Sequence, residues 1–422
     1  MKVRGLHLLI IIAISALLGY YVGVSKVSFS WANYRPSVNI TNREAPPSNH
    51  TDFSLFWTVL SKIEESYYDK KALDTTKIVN GAISGMVQSL GDPYTLYLPP
   101  VQNTDFKEGM AGQAFEGIGA ELGMAGKQII VVAPLDDNPA IKAGIRSGDA
   151  ILKVNDQETG GWTLAQAVEK IRGPRGSAVT LTILHKGSDK PQDISITRQS
   201  IKVKSVDGWV KQVKDIDQIG DKELKQKNAN SSIGYIRVSQ FGDNTNQEWL
   251  AVVNKIVLDQ QKQQNFAGII LDLRNNPGGY LQDANYIASE FIPEGTVVIQ
   301  EKGTGEKAAF SVERKGQFLD VPIVVLINKG SASASEIVAG ALRDHQRATL
   351  LGETSFGKGT IQEAQDLGNG AGLHVTIAKW LTPSGTWVHG KGLKPDVSVV
   401  YNEKDLEHDN QLSKAAETLL NL

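Results

Sequence analysis

The stretch VPIVVLINKGSASASEIVAGALRDH, Val321 to His345, decides how this chain is read. VPIVVLIN is apolar and β-branched, the pattern of a strand buried on both faces. SEIVAGALRDH follows at helical spacing, and three serines separated by single alanines stand at the junction. One of them is explained by a capping box, Ser333 as N-cap with Glu336 three positions on, worth about 1 kcal/mol. A second reading turns a serine hydroxyl over a cleft, where helix N–H groups stabilise negative charge developing beside it. That reading requires a base.

Seven histidines are available. His345 and its neighbour Asp344 lie about three turns along the same predicted helix, too far to reach back. His374 and His389 stand in strand or loop sequence with no orienting carboxylate beside them, and each reads as a surface or core residue. A lysine serves as a base only when it is buried and uncharged, in close-packed surroundings with polar neighbours. GETSFGKGTIQ, Gly352 to Gln362, has that character: Lys358 lies between Gly357 and Gly359 where one strand passes into another, with Gln362 four residues on. Gly352, Gly357 and Lys358 also satisfy G-x-x-x-x-G-K. However, Gly359 stands where Ser or Thr would bind magnesium and no helix follows, so nucleotide binding fails. GSASA lacks the second glycine of G-x-S-x-G, which excludes an α/β-hydrolase elbow.

The surrounding sequence, SIGYIRVSQF, FAGIILDLRNNPGG and ATLLGE, alternates with helical NQEWLAVVNKIVLDQQ and YLQDANYIASEFI. This is an α/β core with a largely buried sheet. Polar KQVKDIDQIGDKELKQKNANSS, Lys211 to Ser232, reads as a surface insertion. Upstream, FEGIGAELGM, QIIVVAPL, AILKVNDQ and AVTLTILHKG are short strands around one helix at Thr163 to Ile171. Their order resembles a PDZ domain. The resemblance implies that Phe115, Gly117, Ile118 and Gly119, in FEGIG, hold a peptide's terminal carboxylate, and that the next strand adds the peptide along its edge.

With 422 residues, 41% hydrophobic and 21% charged, the chain is globular and too long for one core. A net charge of −2 and no large basic run disfavour nucleic acid, and the absence of cysteine excludes thiolate chemistry and disulfides. Gly5 to Ser25 carries no Lys, Arg, Asp or Glu and follows Lys2 and Arg4. It reads as a membrane-spanning helix or a cleaved signal peptide, either one placing the bulk of the chain outside the cytoplasm.

SASASE together with FGKGT resembles the carboxyl-terminal processing peptidases, or tail-specific proteases, over nearly everything after Phe53. The resemblance implies Ser333 as nucleophile, Lys358 as its base and Gln362 as the residue orienting the lysine, with Ser331 and Ser335 structural. It implies an oxyanion hole from Gly278 or Gly279, in LDLRNNPGG, with the N–H of Ala334. Asp272, Arg274 and Asp344 read as structural supports, and Arg172 as the link between PDZ domain and core.

The expected fold is α/β: a ClpP/crotonase-like protease core with a β-rich PDZ domain, a helical N-terminal unit and an N-terminal transmembrane helix. Its divisions are a membrane anchor or signal at 1–25, a linker at 26–50, a helical region at 51–110, the PDZ domain at 111–203, the peptidase core at 204–404 and a helical tail at 405–422. The expected function is a serine endopeptidase cleaving extracytoplasmic proteins with accessible apolar C-terminal tails. No metal or organic cofactor is required. The expected location is the cell membrane, single-pass, with the N-terminus cytoplasmic, and the resemblance allows homodimers. Two other classes stand beside this: a catalytically dead, membrane-tethered PDZ adaptor, which intact Ser333, Lys358 and Gln362 disfavour, and a crotonase-like acyl-CoA enzyme, which the PDZ insertion disfavours.

Overall fold

The computed structural model describes residues 27–32, 35–40, 52–112, 114–135, 138–201, 204–263, 265–402 and 408–422. The apolar anchor or signal segment lies outside these residues; among the described residues no helix is long and apolar enough to cross a membrane. The chain divides into two units, Met1–Thr75 and Thr76–Leu422. In the first, β1 (Val27–Ala32) and β2 (Arg35–Ile40) form an antiparallel hairpin within the segment read as a linker. The alternation of Val27, Phe29 and Trp31 with serine is the strand period that reading overlooked. Then comes α1 (Ser54–Ser66), with the Phe56 ring edge-on to those of Phe53 and Trp57.

The second unit opens with α2 (Thr75–Gln88), β3 (Leu96–Leu98) and α3 (Pro100–Met110). Pro100 suits the first turn of α3, where a missing N–H loses no helical bond. The β-rich module then runs β4 (Phe115–Gly117), β5 (Ala120–Ala125), β6 (Gln128–Pro134), α4 (Pro139–Lys142), β7 (Ala150–Val154), β8 (Gln157–Glu158), α5 (Leu164–Ile171), β9 (Ala178–Leu184), β10 (Gln192–Thr197) and β11 (Gln199–Ile201). Its main sheet has the order β10-β9-β7-β6-β5, which leaves β5 on the edge. Val179, Leu181 and Ile183 of β9 point alternately into the module's own core. A complete capping box starts α5: Thr163 N–H donates to Gln166 Oε1 (2.8 Å) and Gln166 N–H to Thr163 Oγ1 (3.1 Å).

The core comprises β12 (Val206–Gln212), α6 (Lys222–Lys227), β13 (Ser232–Val238), α7 (Thr245–Gln260), β14 (Phe266–Asp272), α8 (Leu281–Ala288), β15 (Thr296–Lys302), β16 (Lys307–Ser311), β17 (Ile323–Ile327), α9 (Ala334–Asp344), β18 (Thr349–Gly352), β19 (Thr360–Asp366), β20 (Gly372–Leu381), β21 (Val397–Ser398) and α10 (Asn410–Leu420). One sheet has the order β12-β13-β14-β17-β18-β21, parallel throughout except for β12. Successive residues serve opposite faces: Ile269 and Leu271 pack with α7, α8 and α9, whereas Ile270, Val324 and Leu326 pack with α10. Covering both faces is why these strands read as unbroken apolar runs. In the second sheet β20 pairs with β15, β19 and also β3, so the N-terminal region contributes a strand to the core.

The expected surface insertion at 211–232 is corrected. Val213, Ile216, Ile219 and Leu224 are buried from it, in one cluster with Leu412 and Leu419 of α10. Four apolar residues spread among lysines and aspartates look solvated as sequence because no single period connects them. The tail helix closes the core, each buried leucine contributing roughly 1.5–3 kcal/mol. Its entry is tied down by charge: Arg274 pairs with Asp272 (2.6 Å) and with Asp409 (2.7 Å), and Arg237 also reaches Asp272 (2.9 Å). Asp272 is fully buried; burial pushes its carboxyl up, but the Arg274 and Arg237 guanidiniums hold it far below the ordinary range.

Candidate active site

Neighbouring parallel strands β14, β17 and β18 release their C-terminal ends side by side, at the edge where α/β sheets place their sites. From β14 comes the turn Leu273–Tyr280, from β17 the serine turn, and from β18 the loop carrying Lys358. Side chains lock the first two together. Asn275 N–H donates to Asn328 Oδ1 and Asn328 Nδ2 to Asn275 Oδ1, both at 2.8 Å.

The three serines now separate. Ser331 is fully buried and donates its hydroxyl to Leu273 O (2.8 Å). Ser335 is fully buried as well, its Oγ 2.8 Å from Ala332 O and 3.0 Å from Asn276 O. Ser333 alone keeps access to solvent. Its backbone has φ 55° and ψ −116°, a left-handed conformation that costs about 1–3 kcal/mol in a residue with a side chain and marks strained functional turns. Gly278 makes room for it: a Cβ added there would lie 2.7 Å from Ser333 Cβ.

Glu336, fully buried, joins the serine turn to the lysine loop. Its Oε2 accepts the N–H groups of Ser333 (2.8 Å) and Lys358 (2.9 Å), while Oε1 accepts Gly357 N–H (2.7 Å) and the Ser355 hydroxyl (2.5 Å). The carboxylate half of the expected capping box is therefore present, and the same group holds the second loop. On the other side of that loop, Trp380 Nε1 donates to Lys358 O (2.9 Å).

Lys358 is half-buried, with its amine 5.0 Å from the centre of the Tyr94 ring. Burial lowers its pKa from the ordinary lysine value, while the charges of Glu121, Asp92 and Glu336 pull it back up. Its amine forms no hydrogen bond or ion pair among the described residues. Gln362 Nε2 donates to the hydroxyls of Thr360 (2.9 Å) and Thr376 (3.0 Å), which leaves its Oε1 as the remaining acceptor. Tyr94 is pushed up to about 12 by burial, aided by the charges of Glu336 and Asp92.

The two glycines of the β14 turn differ. Gly278 N–H donates to Asn276 Oδ1 (2.8 Å), so it is already bonded. Gly279 has no room for a side chain, since a Cβ there would fall 1.8 Å from Phe241 O. Neither its N–H nor that of Ala334 has an acceptor among the described residues. His345 Nε2 bonds Thr296 O (2.7 Å), His374 meets Phe106 edge-on and His389 stacks on Trp387. Each is part of local packing, as expected. Asp344 accepts Ser384 N–H (2.9 Å) and supports the turn after β20.

At the β-rich module, Ile118 is buried in the module's core and Gly119 has φ 74°, with Asn138 Cβ 2.3 Å from where its own would stand. Phe115 and Gly117 pair with Ile201 and Gln199 of β11. Arg172 ends α5 with its guanidinium 4.8 Å above the Phe115 ring and pairs at 2.5 Å with Asp105 of α3. Next to Asp105, Phe106 and Met110 line a half-open cavity of about 420 Å³ together with Tyr280, the residue after Gly279. On β6, Ala133 Cβ lies 3.3 Å from where a Cβ of Gly330 would stand, and Glu121 of edge strand β5 is its cross-strand partner. The module's edge therefore lies beside the serine turn.

Comparison with known proteins places this arrangement. The profile of peptidase family S41 matches residues 232–399, that of the PDZ domain 108–184, and that of the activating protease CtpB N-terminal domain 12–100. The carboxy-terminal processing protease CtpB of Bacillus subtilis is 36% identical over 349 residues, covering 81% of this chain and 68% of that protein. The chain belongs to the carboxy-terminal processing proteases of peptidase family S41. A probable CtpA-like serine protease of Staphylococcus epidermidis is 38% identical over 81% of this chain, which spans 64% of that relative's length. The solved structure of the photosystem II D1 C-terminal processing protease is similar with a TM-score of 0.67 and 29% identity, over 87% of this chain and 96% of that one.

Several residues around this S41 site escaped sequence reasoning. Asp92 and Tyr94 lie in GDPYT, which reads only as a turn; Asp92 accepts Tyr94 N–H (3.0 Å) and the Thr95 hydroxyl (2.6 Å), fixing the ring against the lysine. An aromatic two residues after an Asp in a turn was the available signal. Asp105 and Glu121 gave none, since each is one acid among many on an exposed-looking helix or strand.

Proposed function

We propose that the chain is a membrane-anchored serine endopeptidase that cleaves extracytoplasmic proteins with accessible apolar C-terminal tails, with Ser333 as nucleophile and Lys358 as base. Neutral Lys358 takes the Ser333 proton as Oγ attacks the substrate carbonyl. The oxyanion is received by the N–H groups of Gly279 and Ala334. Collapse expels the amine, which takes the proton back from the lysine, and leaves an acyl ester on Ser333. Lys358, neutral again, then deprotonates water as it attacks the ester, and returns the proton to Ser333 Oγ as the acid product leaves. Gln362 Oε1 steadies the ammonium form. The single observation that supports this reading is Glu336, one buried carboxylate bonded to the N–H groups of both Ser333 and Lys358.

The tail adds along edge strand β5 with its carboxylate in the loop Phe115–Gly119. Because that edge lies beside the serine turn, the empty PDZ domain closes the cleft, and a bound tail draws it aside through Arg172 and Asp105. Residues 1–25 hold the protein at the membrane with the PDZ domain and core outside the cytoplasm. Since α10 is packed into its own core, subunit pairing is assigned to the N-terminal unit.

The test uses the full chain in detergent with an unfolded reporter ending in an apolar tail, its C-terminally amidated twin and the Ser333→Ala protein. Cleavage of the free-carboxylate reporter alone, lost in the variant, is expected. Tight binding of the free tail with no cleavage would overturn the peptidase reading in favour of an adaptor.

A further inference from the structure

Glu336 is explained only in part by capping a helix, because three of its four hydrogen bonds reach Ser355, Gly357 and Lys358, on a loop that follows another strand. A carboxylate offers about four acceptor sites and no donor, and here it faces two N–H groups on Oε2 and one N–H plus one hydroxyl on Oε1. All four sites are used. Burial pushes the Glu336 carboxyl up, while these four bonds oppose that by stabilising the ionised form. The bonded residues include both proposed reacting groups. The two loops also meet through Phe356 N–H on Ser331 O (2.9 Å) and the Lys329–Glu353 ion pair (2.7 Å), but among the described residues Glu336 is the one side chain bonded to both Ser333 and Lys358 themselves.

We propose that Glu336 is a positioning residue that sets the register of the Ser333–Lys358 dyad: it fixes the two backbones to one carboxylate and supplies a fixed negative charge on the base. This rests on the peptidase reading and deepens it. Other groups acting on the amine are Glu121 from the PDZ edge, Asp92 and Tyr94 from the segment before β3, and His374 of β20. Reach and charge are two separable contributions. Glu336→Gln keeps the reach and removes the charge, replacing one acceptor oxygen by an NH2 that faces donors. Glu336→Asp keeps the charge and withdraws it by one methylene.

Lys358 must be neutral to accept the serine proton, so the rate rises with pH through its pKa. A carboxylate nearby favours the ammonium form, and its removal moves that rise to lower pH. Glu336→Gln is expected to lower kcat by about 10- to 100-fold with KM within about twofold, and to move the acid limb of the kcat profile to lower pH. Glu336→Asp is expected to lower kcat to a similar degree with the limb near its wild-type position. Thermal melts report folding of each protein. Should neither variant fold, Ser355→Ala, which removes one donor to Glu336 and leaves the dyad untouched, is expected to lower kcat severalfold at unchanged KM.

Wild-type cleavage with either folded variant at wild-type kcat, or a Gln variant with an unmoved acid limb, would overturn this proposal alone. So would unchanged kcat in Ser355→Ala. A wild-type protein that neither cleaves the reporter nor reacts with a fluorophosphonate serine probe would overturn the peptidase reading and this proposal together.

Discussion

Of the carboxylates that act on the amine of Lys358, Glu336 and Glu121 come from two domains and are held in opposite ways. Glu336 belongs to the core, is fully buried and has four hydrogen bonds. Glu121 stands on the edge strand of the PDZ domain, is exposed to solvent, and its carboxylate has no hydrogen bond among the described residues. Its influence comes from position alone. The difference separates what builds the site from what adjusts it: the core fixes geometry through bonds within one fold, whereas the charge on the PDZ edge would leave the site if that domain swings aside as proposed.

The comparison is broken most severely by removing the proposed dyad. Ser333→Ala and Lys358→Ala are each expected to lower kcat/KM by roughly 10³-fold or more while leaving tail binding to the PDZ domain intact, measured by reporter cleavage beside fluorescence anisotropy of a labelled tail. Substantial turnover in either variant would detach the chemistry from the core.

Next in size is a loss of stability. Asp272→Asn leaves Arg274 and Arg237 buried against a neutral amide, an expected cost of about 3–5 kcal/mol in chemical denaturation. The pH dependence has a definite sign. The folded carboxyl is held far below its ordinary value, so its contribution is complete above about pH 4 and declines as pH falls towards the folded pKa. The wild type should lose stability over that acid range and the variant should not. A fully stable variant would show that α10 needs no charge to close the core.

How far these features were legible follows the same division. The parallel strands were plain in the sequence, because a sheet covered on both faces needs unbroken apolar runs such as IVVLI. So was the serine turn, since a capping motif placed directly after a buried strand is a local signal. What sequence left open were contacts between distant segments. Ser333 could be told from Ser331 and Ser335 only by resemblance, whereas the structure separates them by burial and by the carbonyl each buried hydroxyl meets. Glu336 was visible as a cap, but its hold on Lys358 depends on β17 and β18 being neighbours. The buried apolar residues at 213–224 were hidden by surrounding charge, and the edge position of Glu121 depends on strand order.

A smaller effect tests the joint between the domains. Arg172 meets both the Phe115 ring and Asp105 of α3, and the residue after Asp105 lines the cavity beside Tyr280. Arg172→Glu is expected to reduce stimulation of cleavage by a free tail about tenfold. The reversed pair, Arg172→Glu with Asp105→Arg, should restore a good part of it, a coupling of roughly 0.5–3 kcal/mol in a double-mutant cycle. Strictly additive losses would mean that the pair does not carry the signal.

The smallest effect isolates the adjusting charge. Glu121→Gln removes a negative charge that favours the ammonium form of Lys358 while the PDZ edge lies beside the serine turn. In the absence of a tail the acid limb of Ser333 labelling by a fluorophosphonate probe should move to lower pH, giving a severalfold gain in labelling rate on that limb. With saturating tail peptide the edge has moved away, and variant and wild type should coincide. A shift that persists in the tail-bound protein would place Glu121 among the fixed groups with Glu336, and the PDZ domain would then be a permanent wall of the active site.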